Sequence, residues 1–304
     1  MKGGALAVTG GTGFVGSTTV RLAVDASWNV RALARRPPPD RQGVSWIAGA
    51  LDQPESLRTL MIGADVVLHI AGVTNKPTRA GFIAGNVDGT ASVIAAAREA
   101  GVKRFVHVSS LSAREPLLSN YGWSKAEAEK IVTASGLNWT MVRPPAIYGP
   151  GDSDHLDLFK AAKIGIIPLP PRGRISEIEV SDLARLLLAI AADDASVGAT
   201  YEADDGERNG WTHEQFAHAI GDAMGKRVLP LHVPPSIVKL GAKLDRLLRG
   251  DKAKLTPDRA AYFCHPDWVI DPDKRPPASL WVPKVKTSDG LAATAAAYRD
   301  AGWL

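Results

Sequence analysis

Residues 5–16 read ALAVTGGTGFVG, and this stretch decides the fold. Ala5-Leu6-Ala7-Val8 is an apolar run of strand length, too short for a helix. Thr9 and Gly10 open a glycine-rich turn, and Phe14-Val15-Gly16-Ser17 leads into a helical pattern that runs to about Ser27. The three glycines have separate physical tasks. Gly10 permits a tight strand-to-helix turn, and Gly13 removes a side chain where a pyrophosphate would approach the backbone. Gly16 lets the helix lie close to the sheet. The N–H groups at the positive end of that helix are suited to receive phosphates. A second strand-like run, Trp28–Ala34, completes a βαβ unit, which is the context a dinucleotide turn requires.

Working outward, the chain of 304 residues is long enough for one large α/β domain and a smaller lobe. The sequence predicts a Rossmann-like, doubly wound parallel sheet over residues 1–150. A smaller substrate-binding lobe is expected over 151–304, with some of its elements rejoining the core. A net charge of +4, dispersed and without aromatic platforms beside basic runs, argues against a nucleic-acid partner. A single cysteine, Cys264, excludes an intrachain disulfide and a thiolate metal cluster, so no metal is expected. The first strand begins at once, so no signal peptide is expected, and no apolar run approaches the ~20 residues of a membrane span. A cytoplasmic monomer or homodimer acting on a small molecule is the expectation.

The second strand ends in Ala34-Arg35-Arg36 before Pro37. A site for unphosphorylated NAD commonly carries Asp or Glu there. An alanine followed by two arginines suits a 2′-phosphate instead, so NADPH is favoured and NAD is the alternative. Val44–Gly49 reads as a third strand, Pro54–Met61 as a short helix and Ala64–Ala71 as a fourth strand containing His69. Residues 86–100 look helical.

Val102–Ser110 is then a strand ending in two hydroxyls, and ligands of an open parallel sheet sit beyond such carboxyl ends. Tyr121-Gly122-Trp123-Ser124-Lys125 opens the next helix, with Tyr121 and Lys125 one turn apart on one face. A lysine ammonium beside a phenol favours phenolate and lowers its pKa. Such a tyrosine can give a proton to a carbonyl or take one from an alcohol.

Trp139–Arg143 is a sixth strand. It runs into Pro144–Gly151, an extended, rigid segment suited to a wall along the nicotinamide end of a cofactor. Beyond it, helical patterns are expected at 153–163, 181–192 and 211–224, and Ile175–Val180 reads as a short strand returning toward the main sheet. Residues 234–249, PPSIVKLGAKLDRLLR, form a basic amphipathic pattern. Packing against the body of the protein is its expected use, with membrane-surface contact or a lid over a greasy substrate as the alternative.

TGGTGFVG at 9–16, HIAG at 69–72, FVHVSS at 105–110, YGWSK at 121–125 and RPPAIYGPG at 143–151 together resemble the extended short-chain dehydrogenase/reductase family. Its epimerase, 3β-hydroxysteroid dehydrogenase and dihydroflavonol-reductase-like branch is the most similar. The resemblance covers the first half of the chain in the expected order and implies a seven-stranded core. It implies that Gly10, Thr12, Gly13, Phe14, Val15 and Gly16 bind the cofactor's pyrophosphate region. Arg35, Arg36, Leu51, Ala71, Gly72, Lys125, Pro144 and Ile147 are implied as further cofactor contacts. Ser110 would orient the substrate, Tyr121 would be the acid/base and Lys125 its partner. Ser112, Asn86 and Tyr148 are weaker carry-overs on the substrate side.

The sequence departs from the family in three places. Gly49-Ala50-Leu51 stands where members often carry Asp after the glycine, and Asp52 is out of place for that adenine contact. The loop from Ser110 to Tyr121 is shorter than is usual in nucleotide-sugar epimerases. Leu111 and Ser112 occupy the positions of the Asp-Glu pair that sugar dehydratases use.

The leading expectation is therefore an NAD(P)-dependent oxidoreductase that moves a hydride between nicotinamide and a secondary alcohol or ketone, hydrophobic in character. A nucleotide-sugar epimerase is the rival, with Arg143, Arg172 and Arg174 as conceivable diphosphate contacts. A non-catalytic Rossmann-fold binding or assembly protein is the third reading.

Overall fold

A computed structural model describes residues 4–39, 42–250, 253 and 255–304. The chain divides into two units: residues 1–143, 183–202 and 276–281 in the first, and 144–182, 203–275 and 282–304 in the second.

In chain order the first unit begins with β1 (Ala5–Thr9), α1 (Phe14–Asp25), β2 (Asn29–Ala34), β3 (Val44–Ala48), α2 (Pro54–Met61) and β4 (Val66–His69). It continues through α3 (Arg79–Phe82), a π-helical turn over Ile83–Asp88, α4 (Gly89–Glu99), β5 (Arg104–Val108), α5 (Asn120–Thr133) and β6 (Asn138–Val142). The second unit opens with β7 (Ala146–Tyr148), α6 (Leu156–Ile164), β8 (Ile166–Leu169), β9 (Arg174–Ile175) and β10 (Glu177–Glu179). Helix α7 (Val180–Ala191) leads back to the first unit and its last strand, β11 (Thr200–Tyr201). β12 (Trp211–Thr212), α8 (His213–Met224), β13 (Leu229–His232), α9 (Pro235–Arg249), α10 (Pro257–Phe263), β14 (Asp267–Trp268) and α11 (Thr287–Asp300) belong to the second unit.

Seven strands form one sheet in the order β11-β6-β5-β4-β1-β2-β3, and every neighbouring pair is parallel. β1 lies between β2 and β4, so the strand order reverses direction on its two sides. That is the switch point at which open α/β sheets leave a crevice. Leu6, Ala7 and Val8 are wholly buried, as a central strand covered on both faces requires. Behind the sheet, Leu57, Leu60 and Met61 of α2 meet Val93 and Ala97 of α4 and Phe105 of β5 in one apolar cluster. Buried Arg104 ties β5 to the end of α7, donating to the carbonyls of Ile190 (2.7 Å) and Asp193 (3.1 Å) and to Ser196 Oγ (2.9 Å).

The second unit has its own core, in which Phe159, Ile167, Phe216, Ile220, Leu291 and Tyr298 are buried together. Two readings of the sequence are corrected here. The segment expected to return toward the main sheet instead forms β9 and β10. β10 pairs in parallel with β7, and β9 pairs with β12 and β14, in small sheets of their own. The helix expected at 86–100 is preceded by α3 and the π-helical turn. Its start escaped the sequence reading because Gly81 and Gly85 interrupt the helical signal.

Candidate active site

The glycine turn after β1 faces the backbone that follows β4. Gly10 has φ +77°, and a Cβ there would come within 2.6 Å of the Ala71 nitrogen, so only glycine fits. A Cβ on Gly16 would lie 2.0 Å from the Gly10 carbonyl oxygen, which pins α1 tightly against the turn. At Gly13 the nearest such atom is the Gly10 oxygen at 3.4 Å, an ordinary contact, and Thr12 and Gly13 are exposed. The first turn of α1, with Phe14, Val15 and Gly16, has no side-chain cap, so its N–H groups are aimed past Gly13. A helix start of this kind is suited to receive an anion, and its geometry fits the pyrophosphate of a dinucleotide.

At the end of β2, Ala34 is buried while Arg35 and Arg36 are exposed. Arg31, further back on the strand, is engaged elsewhere: its guanidinium donates to the carbonyls of Leu60 (3.1 Å) and Thr59 (2.5 Å). Leu51 is half-buried beneath α4, where a Cβ on Gly89 would meet its Cδ1 at 2.8 Å.

Beyond β5 the two serines have different partners. Ser109 Oγ donates to Glu129 Oε1 at 2.6 Å. Glu129 is further held by Arg143, whose Nη2 reaches Oε2 at 2.6 Å. Ser110 Oγ caps the short 3-10 turn Leu111–Arg114 by accepting from the Ser112 N–H (3.2 Å) and the Ser112 hydroxyl (2.9 Å). Ser109 is thus committed to the helix behind it, and Ser110 stays at the strand end.

The short loop that follows closes on α5. Ser119 is the N-cap and accepts from the Gly122 N–H at 2.9 Å, while a Cβ on Gly122 would strike the Ser112 carbonyl oxygen at 2.6 Å. Tyr121 therefore stands in the first turn of α5, its ring 6.2 Å from that of Phe82, and Lys125 stands one turn later.

Lys125 is buried, and its Nζ donates to the Val108 carbonyl at 2.8 Å. Burial pulls its pKa down to about 8, against the opposing pull of Glu129. Gly72 lies over it: a Cβ there would be 3.1 Å from Asn86 Oδ1 and 3.7 Å from Lys125 Nζ. Asn86 sits in the π-helical turn. Its Oδ1 accepts from the Val73 N–H (2.7 Å) and its Nδ2 donates to Ser124 Oγ (2.8 Å), which itself donates to the Tyr121 carbonyl (2.8 Å). Gly72, Asn86, Ser124 and Lys125 thus form one connected cluster.

Two buried histidines support it. His69 bridges Thr9 Oγ1 (2.6 Å) and Thr90 Oγ1 (3.0 Å), and Thr90 donates to the Asn86 carbonyl at 2.6 Å. Burial, aided by the Lys125 charge, holds His69 neutral with a pKa of about 3. His107 stacks on it at 5.3 Å and is also kept neutral, by burial first and then by Lys125.

Sequence reasoning missed Glu129, Thr90 and the π-helical turn. Glu129 could have been found, because it lies one helical turn beyond Lys125 on the same face. Pro144, Ile147 and Tyr148 fall in the second unit. Tyr148 is corrected as a substrate-side residue: it is wholly buried, edge-on to Phe216 and His155, and a Cβ on Gly290 would collide with its ring. Two of the three arginines considered for a diphosphate are also committed internally. Arg143 binds Glu129 and Glu202, and Arg174 donates to the carbonyls of Asn209 and Gly210.

The family profile described as NAD(P)H-binding matches residues 10–194, from the glycine turn to just beyond the helix that follows β10. The chain belongs to this family. It is an NAD(P)-dependent oxidoreductase of the short-chain dehydrogenase/reductase type. A ceramide reductase of Caulobacter vibrioides is 37% identical over 311 residues, covering 99% of this chain and 96% of the relative. A 2-alkyl-3-oxoalkanoate reductase of Stenotrophomonas maltophilia is 29% identical, covering 93% and 96%. Among solved structures, the Bordetella bronchiseptica enzyme WbmH in complex with NAD+ superposes with a TM-score of 0.73. It is 19% identical, with 99% of this chain and 100% of that one covered, and it shares the fold of this oxidoreductase.

Proposed function

We propose that this enzyme reduces a lipid-like ketone to a secondary alcohol with NADPH. The match that carries the reading is the near-full-length one to a ceramide reductase. The 2-alkyl-3-oxoalkanoate reductase supports it, since both names denote long apolar substrates. The internal commitment of Arg143 and Arg174 weighs against a nucleotide-diphosphate clamp in an epimerase.

In this mechanism Gly10, Gly13, Gly16 and the start of α1 hold the pyrophosphate, and Arg35 and Arg36 receive the 2′-phosphate. When bound, the nicotinamide supplies the hydride. Ser110 and Tyr121 donate hydrogen bonds to the ketone oxygen, and Tyr121 gives it the proton. The Lys125 ammonium eases departure of that proton by favouring phenolate. Ser112 and Asn86 act through others, Ser112 by orienting the Ser110 hydroxyl and Asn86 by fixing the start of α5.

The test has two arms. Turnover is followed as NADPH oxidation with a long-chain 3-oxo amide or ester and, separately, with a uridine-diphosphate sugar. Consumption of NADPH with the ketone is expected; conversion of the sugar alone would overturn the reading. In the second arm, NADPH and NADH are titrated into the wild type, Ala34→Asp and Arg35→Ala. A wild-type preference for NADPH of about tenfold to a hundredfold is expected. Both substitutions should weaken NADPH more than NADH, and equal wild-type affinities would remove the arginines from the site.

A further inference from the structure

Helix α9 has its polarity inside out. Its inward arc carries no large apolar side chain: Ala242 is wholly buried, Val238 half-buried, and a Cβ on Gly241 would rest 3.8 Å from Leu255 Cδ2. Asp245 on the same arc accepts from the Leu255 N–H at 2.8 Å. The large apolar side chains occupy a different arc and face outward. Ile237 is 57% exposed, Leu240 56%, Leu244 48%, Leu247 80% and Leu248 82%. An amphipathic helix of a globular core turns that stripe inward. The expectation that the pattern over 234–249 packs against the body of the protein therefore holds for the arc of Val238 and Ala242 and is corrected for the leucines.

Charge says what the outward face fits. At about 100° per residue, Lys239, Lys243 and Arg246 fall on a third arc that borders the leucines on one side. All three are exposed. A helix lying in a lipid interface needs this arrangement: leucines reach the acyl boundary while lysine and arginine stems extend to the headgroup phosphates. A second copy of the chain fits less well. Two α9 helices paired antiparallel about a two-fold axis would set the basic edge of one beside the basic edge of the other. No described helix is long and apolar enough to cross a membrane, so contact is at the surface.

We propose that α9 docks this enzyme on an anionic lipid bilayer, lying in the headgroup layer with Ile237, Leu240, Leu244, Leu247 and Leu248 inserted. The inference stands independently of the substrate reading, because it concerns binding to lipid in the absence of any turnover.

The full-length protein is sedimented with vesicles of phosphatidylcholine alone and of phosphatidylcholine mixed with phosphatidylglycerol. The wild type is expected to partition onto the mixed vesicles. Leu244→Ser/Leu247→Ser/Leu248→Ser and Lys239→Glu/Lys243→Glu should each lower that partition by at least ~10-fold. Raised salt should weaken the wild type and have less effect on the lysine variant. Since every substituted side chain is exposed, both variants should melt and bind NADPH like the wild type. Retention of the wild type in the supernatant with mixed vesicles, or undiminished binding by either variant, overturns the proposal. So does a wild-type dimer in light scattering that the leucine variant dissociates without any vesicle binding, because a second copy would then cover the face.

Discussion

Tyr121 and Lys125 differ in what they cost the fold. Tyr121 is half-buried in the first turn of α5, and replacing it with Phe keeps the ring against Phe82 while removing the proton. Turnover should fall by at least ~10²-fold with cofactor affinity little changed, as measured by NADPH oxidation and fluorescence titration. Near-normal turnover would remove Tyr121 from the chemistry. Lys125 is a buried ammonium whose pKa of about 8 lies below the ordinary 10.5. Below pH 8 it is charged in both the folded and unfolded chain, and the desolvation cost is felt in full. Between pH 8 and 10.5 only the unfolded chain holds the proton, so the cost falls away as pH rises. Lys125→Met should therefore stabilise the protein by about 1–3 kcal/mol at pH 7 while abolishing turnover. The gain should shrink above pH 8. Urea unfolding across that range checks it, and a destabilised variant at pH 7 would show that the bond to Val108 outweighs desolvation.

At the scale of elements, the junction of β1 and α1 is built on close approach. A methyl group on Gly16 would sit 2.0 Å from the Gly10 carbonyl oxygen, so Gly16→Ala must push α1 away from the turn. The first-turn N–H groups would move with it, and helix-terminus binding of phosphate depends on their position. NADPH affinity is expected to drop by at least ~10-fold, with far-ultraviolet circular dichroism unchanged. Wild-type affinity in this variant, measured by calorimetry, would mean that the turn does not hold the pyrophosphate. The π-helical turn plays a similar part beside α5, because its wider coil is where Asn86 bonds both Val73 and Ser124.

At the scale of the whole molecule, the second unit contains an electrostatic centre set against its apolar core. His155 lies between Asp152 (2.6 Å from Nδ1) and Glu177 (3.4 Å from Nε2), and Tyr298 donates to Asp152 at 3.4 Å. Burial alone would lower the imidazole's pKa. The facing carboxylates of Glu177 and Asp152 outweigh that and hold it well above the ordinary 6.5. The bound proton therefore stabilises the fold fully below pH 6.5, and that contribution is lost as pH rises toward the folded pKa. His155→Gln leaves two buried carboxylates without their cation and should cost about 3–5 kcal/mol at pH 6.5. Chemical unfolding between pH 6.5 and 8 should show wild-type stability declining and a flatter profile for the variant. Parallel profiles would place the titration elsewhere.

The central sheet was legible in the amino-acid order because its information is local. Ala5–Val8, the glycine spacing and the apolar runs of β2, β4 and β5 each announce a strand or turn within a few residues. The placement of the proposed reacting residues was legible for the same reason: Ser110 follows a strand, and Tyr121 and Lys125 are one helical turn apart. Partner choice was not legible, because it depends on residues far apart in sequence. Only the tertiary structure distinguishes Ser109, bonded to Glu129, from Ser110, bonded to Ser112. It also commits Arg31 to the end of α2 and buries Tyr148 in the core of its unit. The short strands near 175 carry too few residues for a pairing signal, so their sheet was settled by register with β7, β12 and β14. In α9 the periodicity correctly gave an amphipathic helix, but which side faces the protein is decided by its neighbours. There Gly241 and Ala242 allow the close packing that leucines would prevent.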